Sequence, residues 1–334
     1  MTATGAAEPW LFRSVPFARV AVLRTLVYAF VFVDVWRWSD LVRAKGGLDL
    51  DFYMPLRIAR VFPFIPEPTH LVVECCYWGL LIVAPIAATS RLPRLVGPVV
   101  FLLYGQWMLI AMSYGKVDHD RFALLVALAL LPTVGRARHG DMRPSQAAGW
   151  AIRMVQMAVI ATYVLAAWAK IRFGGVEWLT SATLAWAILR RGTDFSNWLL
   201  DHPAVLQAAQ FGIVAFEALS PVVFLVSERS RRRIIAGFYV FHLVTALSLT
   251  ITFAPHLVAM TSFFPLEKLQ PIRAARRISD RTRSSSDGSG LEIALGVGEG
   301  ALGGAPGHPM PVASDPAVEG PEDPLDRPGG EHPA

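Results

Sequence analysis

The sequence predicts an all-α fold: a polytopic membrane bundle of seven or eight transmembrane helices with a disordered C-terminal tail. Three observations predict it. Of 334 residues, 54% are hydrophobic and only 17% are charged, against about 25% charged in soluble domains. Mean hydropathy is +0.43. Apolar stretches near the length of a bilayer core recur along the chain, and arginine-dense loops follow every second one.

A hydrocarbon core about 30 Å thick needs roughly 20 apolar helical residues to cross it. Expected spans cover 17–36, 70–89, 94–113, 120–134, 147–170, 204–226 and 233–253. The first follows Trp10-Leu11-Phe12-Arg13, which lacks the small residues of a cleavage site, so no cleavable signal is expected. The second carries Glu74 and the adjacent Cys75 and Cys76, which read as buried thiols because neighbouring cysteines pair only with strain. The fourth is leucine-rich and ends in Pro132, the fifth ends at Lys170, the sixth holds Glu217 and the seventh holds His242. A short eighth, near 254–268, begins at Pro255.

Positive charge orients the bundle. Arg91 and Arg94, then Arg136, Arg138 and Arg143, then Arg229 to Arg233 all follow even-numbered spans. One orientation places them all in the cytoplasm together with the N-terminus, and Lys268, Arg273, Arg276 and Arg277 join them if the eighth span crosses. Loops 37–69, 114–119 and 171–203 then face outward. The expected organisation is a cytoplasmic N-terminal segment at 1–16, a transmembrane bundle at 17–270 and a disordered cytoplasmic tail at 271–334, whose Ser, Gly, Pro and acidic residues offer too little apolar mass to offset ordering entropy. The net charge of +5 is too small to indicate nucleic-acid binding, and none is expected. The expected location is a bacterial cytoplasmic membrane, with the lipid bilayer as the first partner.

Ionisable groups inside spans are costly, about 2.5–3.5 kcal/mol at mid-helix on insertion scales. Arg19, Arg24, Asp34, Glu74, Arg153, Lys170, Glu217 and His242 are such groups. For Arg19, Glu74 and Lys170, near span ends, snorkelling to the headgroups is the plain structural reading. For Arg24, Asp34, Arg153 and Glu217 it is interhelical ion pairing. Lys170 and His119 stand at the same outer membrane level. Lys170 follows the apolar Ala166-Ala167-Trp168-Ala169, a setting in which a lysine can serve as a general base, and Asp118 and Asp120 flank His119. His242 lies too deep to snorkel; Glu217 or a Tyr or Ser hydroxyl is its expected partner. No histidines stand at i, i+4, no second cysteine pair follows Cys75-Cys76, and no P-loop or Gly-x-Ser-x-Gly occurs, so neither a metal nor a serine nucleophile is expected.

Four stretches together resemble the HTTM (horizontally transferred transmembrane) domain, the membrane part of vitamin K-dependent γ-glutamyl carboxylase and its bacterial relatives. They are His119 to Pro132, Tyr163 to Ile171 ending in Ala169-Lys170-Ile171, the Trp-led segment Glu177 to Leu184 containing Trp178, and the Phe241-His242 pair. The chain departs from the family's pattern in having Ala166-Ala167 for Ala-Gly, a single lysine for a pair, and Ser181 near a glycine. The resemblance implies a reduced quinone of the vitamin K or menaquinone type as cofactor. It also implies Lys170 as the catalytic base and His119 as its aid in holding negative charge. Tyr163, Trp178, Glu217 and His242 complete the expected quinone pocket. The expected activity is quinol-dependent carboxylation or epoxidation at the outer face, on an unidentified protein or small-molecule substrate. A non-enzymatic protein of the same fold, as a partner or immunity-type component, and a small transporter are the alternatives.

Overall fold

The computed structural model describes residues 8–89 and 91–269. The expected tail at 271–334 and Arg273, Arg276 and Arg277 lie outside the described residues. The chain is mostly helical. Its helices are α1 (Phe17–Arg37), α2 (Asp40–Ala44), α3 (Arg57–Val61), α4 (His70–Ala88), α5 (Pro93–Met112) and α6 (Phe122–Leu130). They continue with α7 (Gln146–Gly174), α8 (Glu177–Thr180), α9 (Thr183–Arg191), α10 (Asp194–Asn197), α11 (Pro203–Ala218), α12 (Glu228–Leu249) and α13 (Ala254–Met260).

Four of these, α4, α5, α7 and α12, are long and apolar enough to cross a membrane. The other expected spans take other forms. Helix α1 has the length, at 21 residues, but carries Arg19, Arg24, Asp34 and Arg37. The fourth expected span is the nine-residue α6 followed by a 3-10 turn at Leu131–Val134. The sixth is α11 followed by a 3-10 turn at Ser220–Phe224, and the eighth is α13 with two further 3-10 turns. Pro132 and Pro221 explain the first two changes, because a proline supplies no N–H to the helix it would have to continue. One feature is not helical: Val15–Pro16 pairs antiparallel with Pro144–Ser145, tying the start of α1 to the start of α7.

Local signals agree with these boundaries. Thr69 and Ser145 accept hydrogen bonds from Val72 N and Ala148 N at the starts of α4 and α7. Gly175, at φ 61°, terminates α7. The surface is apolar where the helices face outward: Trp78, Ile82, Leu102, Trp168 and Leu243 are all exposed. A water-facing monomer rarely leaves such a surface open, whereas hydrocarbon covers it at no cost. Successive residues on a helix point about 100° apart, so Cys75 is exposed and only Cys76 is buried, both as free thiols. That corrects the expectation that both thiols are buried.

The core centres on α1, whose Val20, Leu23, Val27 and Val31 are fully buried. Arg24 and Asp34 are buried with it and Arg19 is half-buried, each with a partner, while Arg37 at its end is exposed. Arg24 donates to the Leu131 carbonyl, through Nε at 3.2 Å. Asp34 pairs with Arg121 and accepts from the Tyr104 hydroxyl at 2.8 Å. Arg19 forms two 2.7 Å bonds to Glu267, and Glu74 is held by Arg43 at 2.8 and 3.0 Å. Arg153 donates to the Trp10 carbonyl at 3.2 Å. Asp34 is therefore in an interhelical pair as expected, while Arg24 and Arg153 use backbone carbonyls instead. Arg19 and Glu74 pair within the protein rather than snorkelling.

The close approach of α7 to the segment before α1 requires Gly149. A Cβ there would lie 2.1 Å from the Arg13 carbonyl oxygen, a backbone atom that cannot rotate aside. Gly149→Ala is expected to destabilise by about 1–3 kcal/mol. Gly105→Ala, where a Cβ meets nothing within 4 Å, should be neutral or slightly stabilising. Thermal melts of the two variants in one detergent check the pair.

Candidate functional site

One pocket of about 240 Å³ collects side chains from six helices and two connecting segments. Helix periodicity explains what each helix supplies. Tyr163, Ala166 and Lys170 stand at i, i+3 and i+7 on one face of α7; Ile213 and Glu217 at i and i+4 on α11; and Phe241, Thr245 and Leu249 at i, i+4 and i+8 on α12, beside His242. Trp178 comes from α8, and Leu184 and Ala187 come from α9. His119 and Asp120 enter from the turn before α6, Phe253 from the turn into α13, and His256 from α13 itself.

All six residues expected at the site, Lys170, His119, Tyr163, Trp178, Glu217 and His242, line this pocket. Their pairings differ in part from expectation. Lys170 does not snorkel. Its Nζ lies 2.7 Å from both Oε1 and Oε2 of Glu217 and 5.4 Å from the centre of the Trp178 ring. The Lys170 and Glu217 side chains are 21% and 8% exposed, so the ion pair is largely out of solvent. With Glu217 committed to Lys170, His242 takes the other expected kind of partner, a hydroxyl: its Nε2 is 2.6 Å from Tyr163 Oη.

His119 faces the aromatic side of the pocket, its ring centre 6.3 Å from that of Phe253. Of its two flanking acids, Asp118 is held by Lys116 at 2.7 Å, and Asp120 joins His119 in lining the pocket. Phe253 continues to His242, with ring centres 4.8 Å apart. Phe238 packs against Tyr163, with ring centres 4.4 Å apart.

Sequence reasoning missed His256 and Phe253. His256 is 1% exposed and stands edge-on to Tyr163 at 4.9 Å. Neither of its ring nitrogens, nor His242 Nδ1, has a hydrogen-bond partner among the described residues. A signal existed, since Pro255-His256 opens the short apolar segment read as the eighth span. Among the described residues no three His, Cys, Asp or Glu side chains come together as a metal site.

No protein-family model matches the chain, and comparison with curated proteins and with solved structures finds no match.

The arrangement has a defined chemical capacity. A largely apolar cleft surrounds one buried pair that is neutral overall and can exchange a proton internally. Transfer from Lys170 Nζ to a Glu217 oxygen leaves a neutral amine facing the cleft, and a neutral amine accepts protons where an ammonium does not. The Tyr163–His242 bond, one turn or more below on α7, adds a second group that can donate or accept.

Proposed function

We propose that this chain is a membrane protein of the HTTM, vitamin K-dependent carboxylase-like type, with a quinol-dependent activity at the outer ends of its helices. The proposal includes seven or eight membrane passages, with α1 crossing as a helix whose charges are satisfied internally, and with α6 and α11 each extended across by the 3-10 turn that follows. It places the N-terminus in the cytoplasm of a bacterial cell, following the arginine-rich loops.

The observation that carries the reading is the convergence of Lys170, Glu217, His119, Tyr163, Trp178 and His242 on one largely apolar pocket. Its walls suit a small fused ring. Trp178, Phe241 and Phe253 offer ring faces, and Lys170 with Glu217 offers a polar contact for a ring hydroxyl. At about 240 Å³ the pocket is smaller than the roughly 300–1,000 Å³ of drug-sized sites. It therefore takes a ring system whose hydrocarbon tail stays among the helices or in lipid, and excludes a folded segment of protein substrate.

A reduced quinone, when bound, supplies the reducing electrons and an acidic ring hydroxyl. The chain's residues then act on protons and water. Lys170, having passed a proton to Glu217, takes the hydroxyl proton at Nζ. Trp178 over the ammonium and Glu217 beside it hold that charge in place. His119 donates a hydrogen bond to developing negative charge, and the apolar walls from α9 and α12 keep water out, which strengthens each of these contacts.

Purified protein supplied with reduced naphthoquinone and oxygen is expected to consume the quinol and form its epoxide. Lys170→Ala should reduce the rate by about 10²-fold or more, the scale of a lost acid–base group. Equal turnover by the two proteins, or none by either, would sink the lysine-base reading. In that event the same pairs serve only to lock the bundle, as in the non-enzymatic alternative.

A further inference from the structure

A second concentration of charge lies away from the pocket, where the connection from α4 to α5 meets the connection from α6 to α7. Arg91, Arg94 and Arg136 line a recess of about 430 Å³ together with Leu92, Pro93 and Leu95. Arg91 and Arg136 continue with Arg138 and His139 around an adjoining recess of about 340 Å³. The two connections are brought together at Gly135, which has φ 75°. A Cβ there would meet the Arg94 guanidinium at 2.9 Å, so Arg94 rests against this turn.

The charge balance of the cluster is one-sided. No carboxylate lines either recess. Among the described residues, Arg91, Arg94, Arg136 and Arg138 form no ion pair. Asp141, on the same connection, is bound at 2.9 and 2.7 Å by Arg143, whose guanidinium holds the Asp141 carboxyl below its ordinary range. His139 is turned to Thr25, with Nε2 3.1 Å from Oγ1. Arg91, Arg94 and Arg136 thus stand exposed with no ion-paired carboxylate, and Asp141, which lines a neighbouring recess with Arg136 and Arg138, is already held by Arg143.

Their position selects the ligand. Helices α4 and α5 are both of membrane length, and the connection between them marks one membrane surface. Leu92 and Leu95, 52% and 68% exposed, stand beside the arginines and offer an apolar contact directly next to the charge. A free phosphate ion uses only the guanidiniums. A phospholipid uses both, with its phosphate diester on the arginines and its first acyl carbons on the leucines. We infer that the recess bounded by Arg91, Arg94 and Arg136 binds the headgroup of an anionic phospholipid. Basic pockets between the ends of membrane helices are suited to this, and the site is independent of the quinol pocket.

The test uses the full-length protein in phosphatidylcholine nanodiscs, titrated with phosphatidylglycerol and followed by its melting temperature. Wild type is expected to gain stability as the anionic lipid is added. Arg91→Gln/Arg136→Gln should need about tenfold more lipid for the same gain. A charge-matched control, Arg229→Gln/Arg233→Gln, alters the basic start of α12 and should respond like wild type. Each melt is referred to the same protein in pure phosphatidylcholine, so a folding defect lowers the starting value without imitating a lost response. An equal loss in both double variants would overturn the site in favour of general surface charge. Inorganic phosphate alone reproducing the gain would overturn the lipid as its source.

Discussion

Asp34→Ala is expected to destabilise the folded chain by about 3 kcal/mol, in the range observed when one partner of a buried ion pair is removed. The carboxylate is 4% exposed, and the Arg121 side chain it neutralises is 19% exposed. Without Asp34 that guanidinium keeps the Tyr104 hydroxyl, at 2.6 Å, and the field of the neighbouring Asp120, neither of which replaces the lost ion pair. Tyr104→Phe removes two hydrogen bonds, one donated to Asp34 and one accepted from Arg121, but leaves the ion pair in place, and should cost about 1–2 kcal/mol. Chemical denaturation of the three proteins in one detergent gives the order wild type, Tyr104→Phe, Asp34→Ala. A cost for Asp34→Ala no larger than that for Tyr104→Phe would show that the α1 charges do not lock the bundle.

The second large effect concerns Lys170 and Glu217, where structure and chemistry can be separated. Lys170→Ala strands a carboxylate that is 8% exposed, and is expected to cost about 3 kcal/mol. Replacing both residues, as Lys170→Met/Glu217→Met, removes the stranded charge and fills a similar volume with flexible apolar side chains. Its stability should return to within about 1 kcal/mol of wild type, because apolar replacement of a buried pair is often neutral. Quinol turnover should fall by about 10²-fold or more in both variants. A double variant as unstable as the single would mean that the site depends on these side chains for shape and not for charge compensation.

The parts of this protein legible in sequence were those governed by local rules. Periodicity and hydropathy placed α4, α5, α7 and α12, and the cost of burying ionisable groups picked out Lys170, Glu217 and His242 before their geometry was known. Pairing was less legible, because partners come from residues distant in the chain. Arg121 lies 87 positions from Asp34 and Glu267 lies 248 from Arg19. Nothing local distinguishes a carbonyl such as that of Leu131 as the acceptor for Arg24. His256 was hidden for a related reason. Its segment is apolar enough to read as a short span, whereas Pro255 and the turns at Thr261–Phe263 and Leu266–Lys268 keep it folded against α1, α6 and α7. The Val15–Pro16 bridge to Pro144–Ser145 escaped because a two-residue pairing has no periodicity to detect.

We propose that the pocket around Lys170 and Glu217 performs proton chemistry on a bound quinol. The most direct test is oxygen-dependent consumption of reduced naphthoquinone by purified wild-type protein, with Lys170→Met/Glu217→Met as a folded, charge-free blank. Turnover by wild type and none above background by the blank is expected, at matched melting temperatures. Turnover by the blank at the wild-type rate would contradict it.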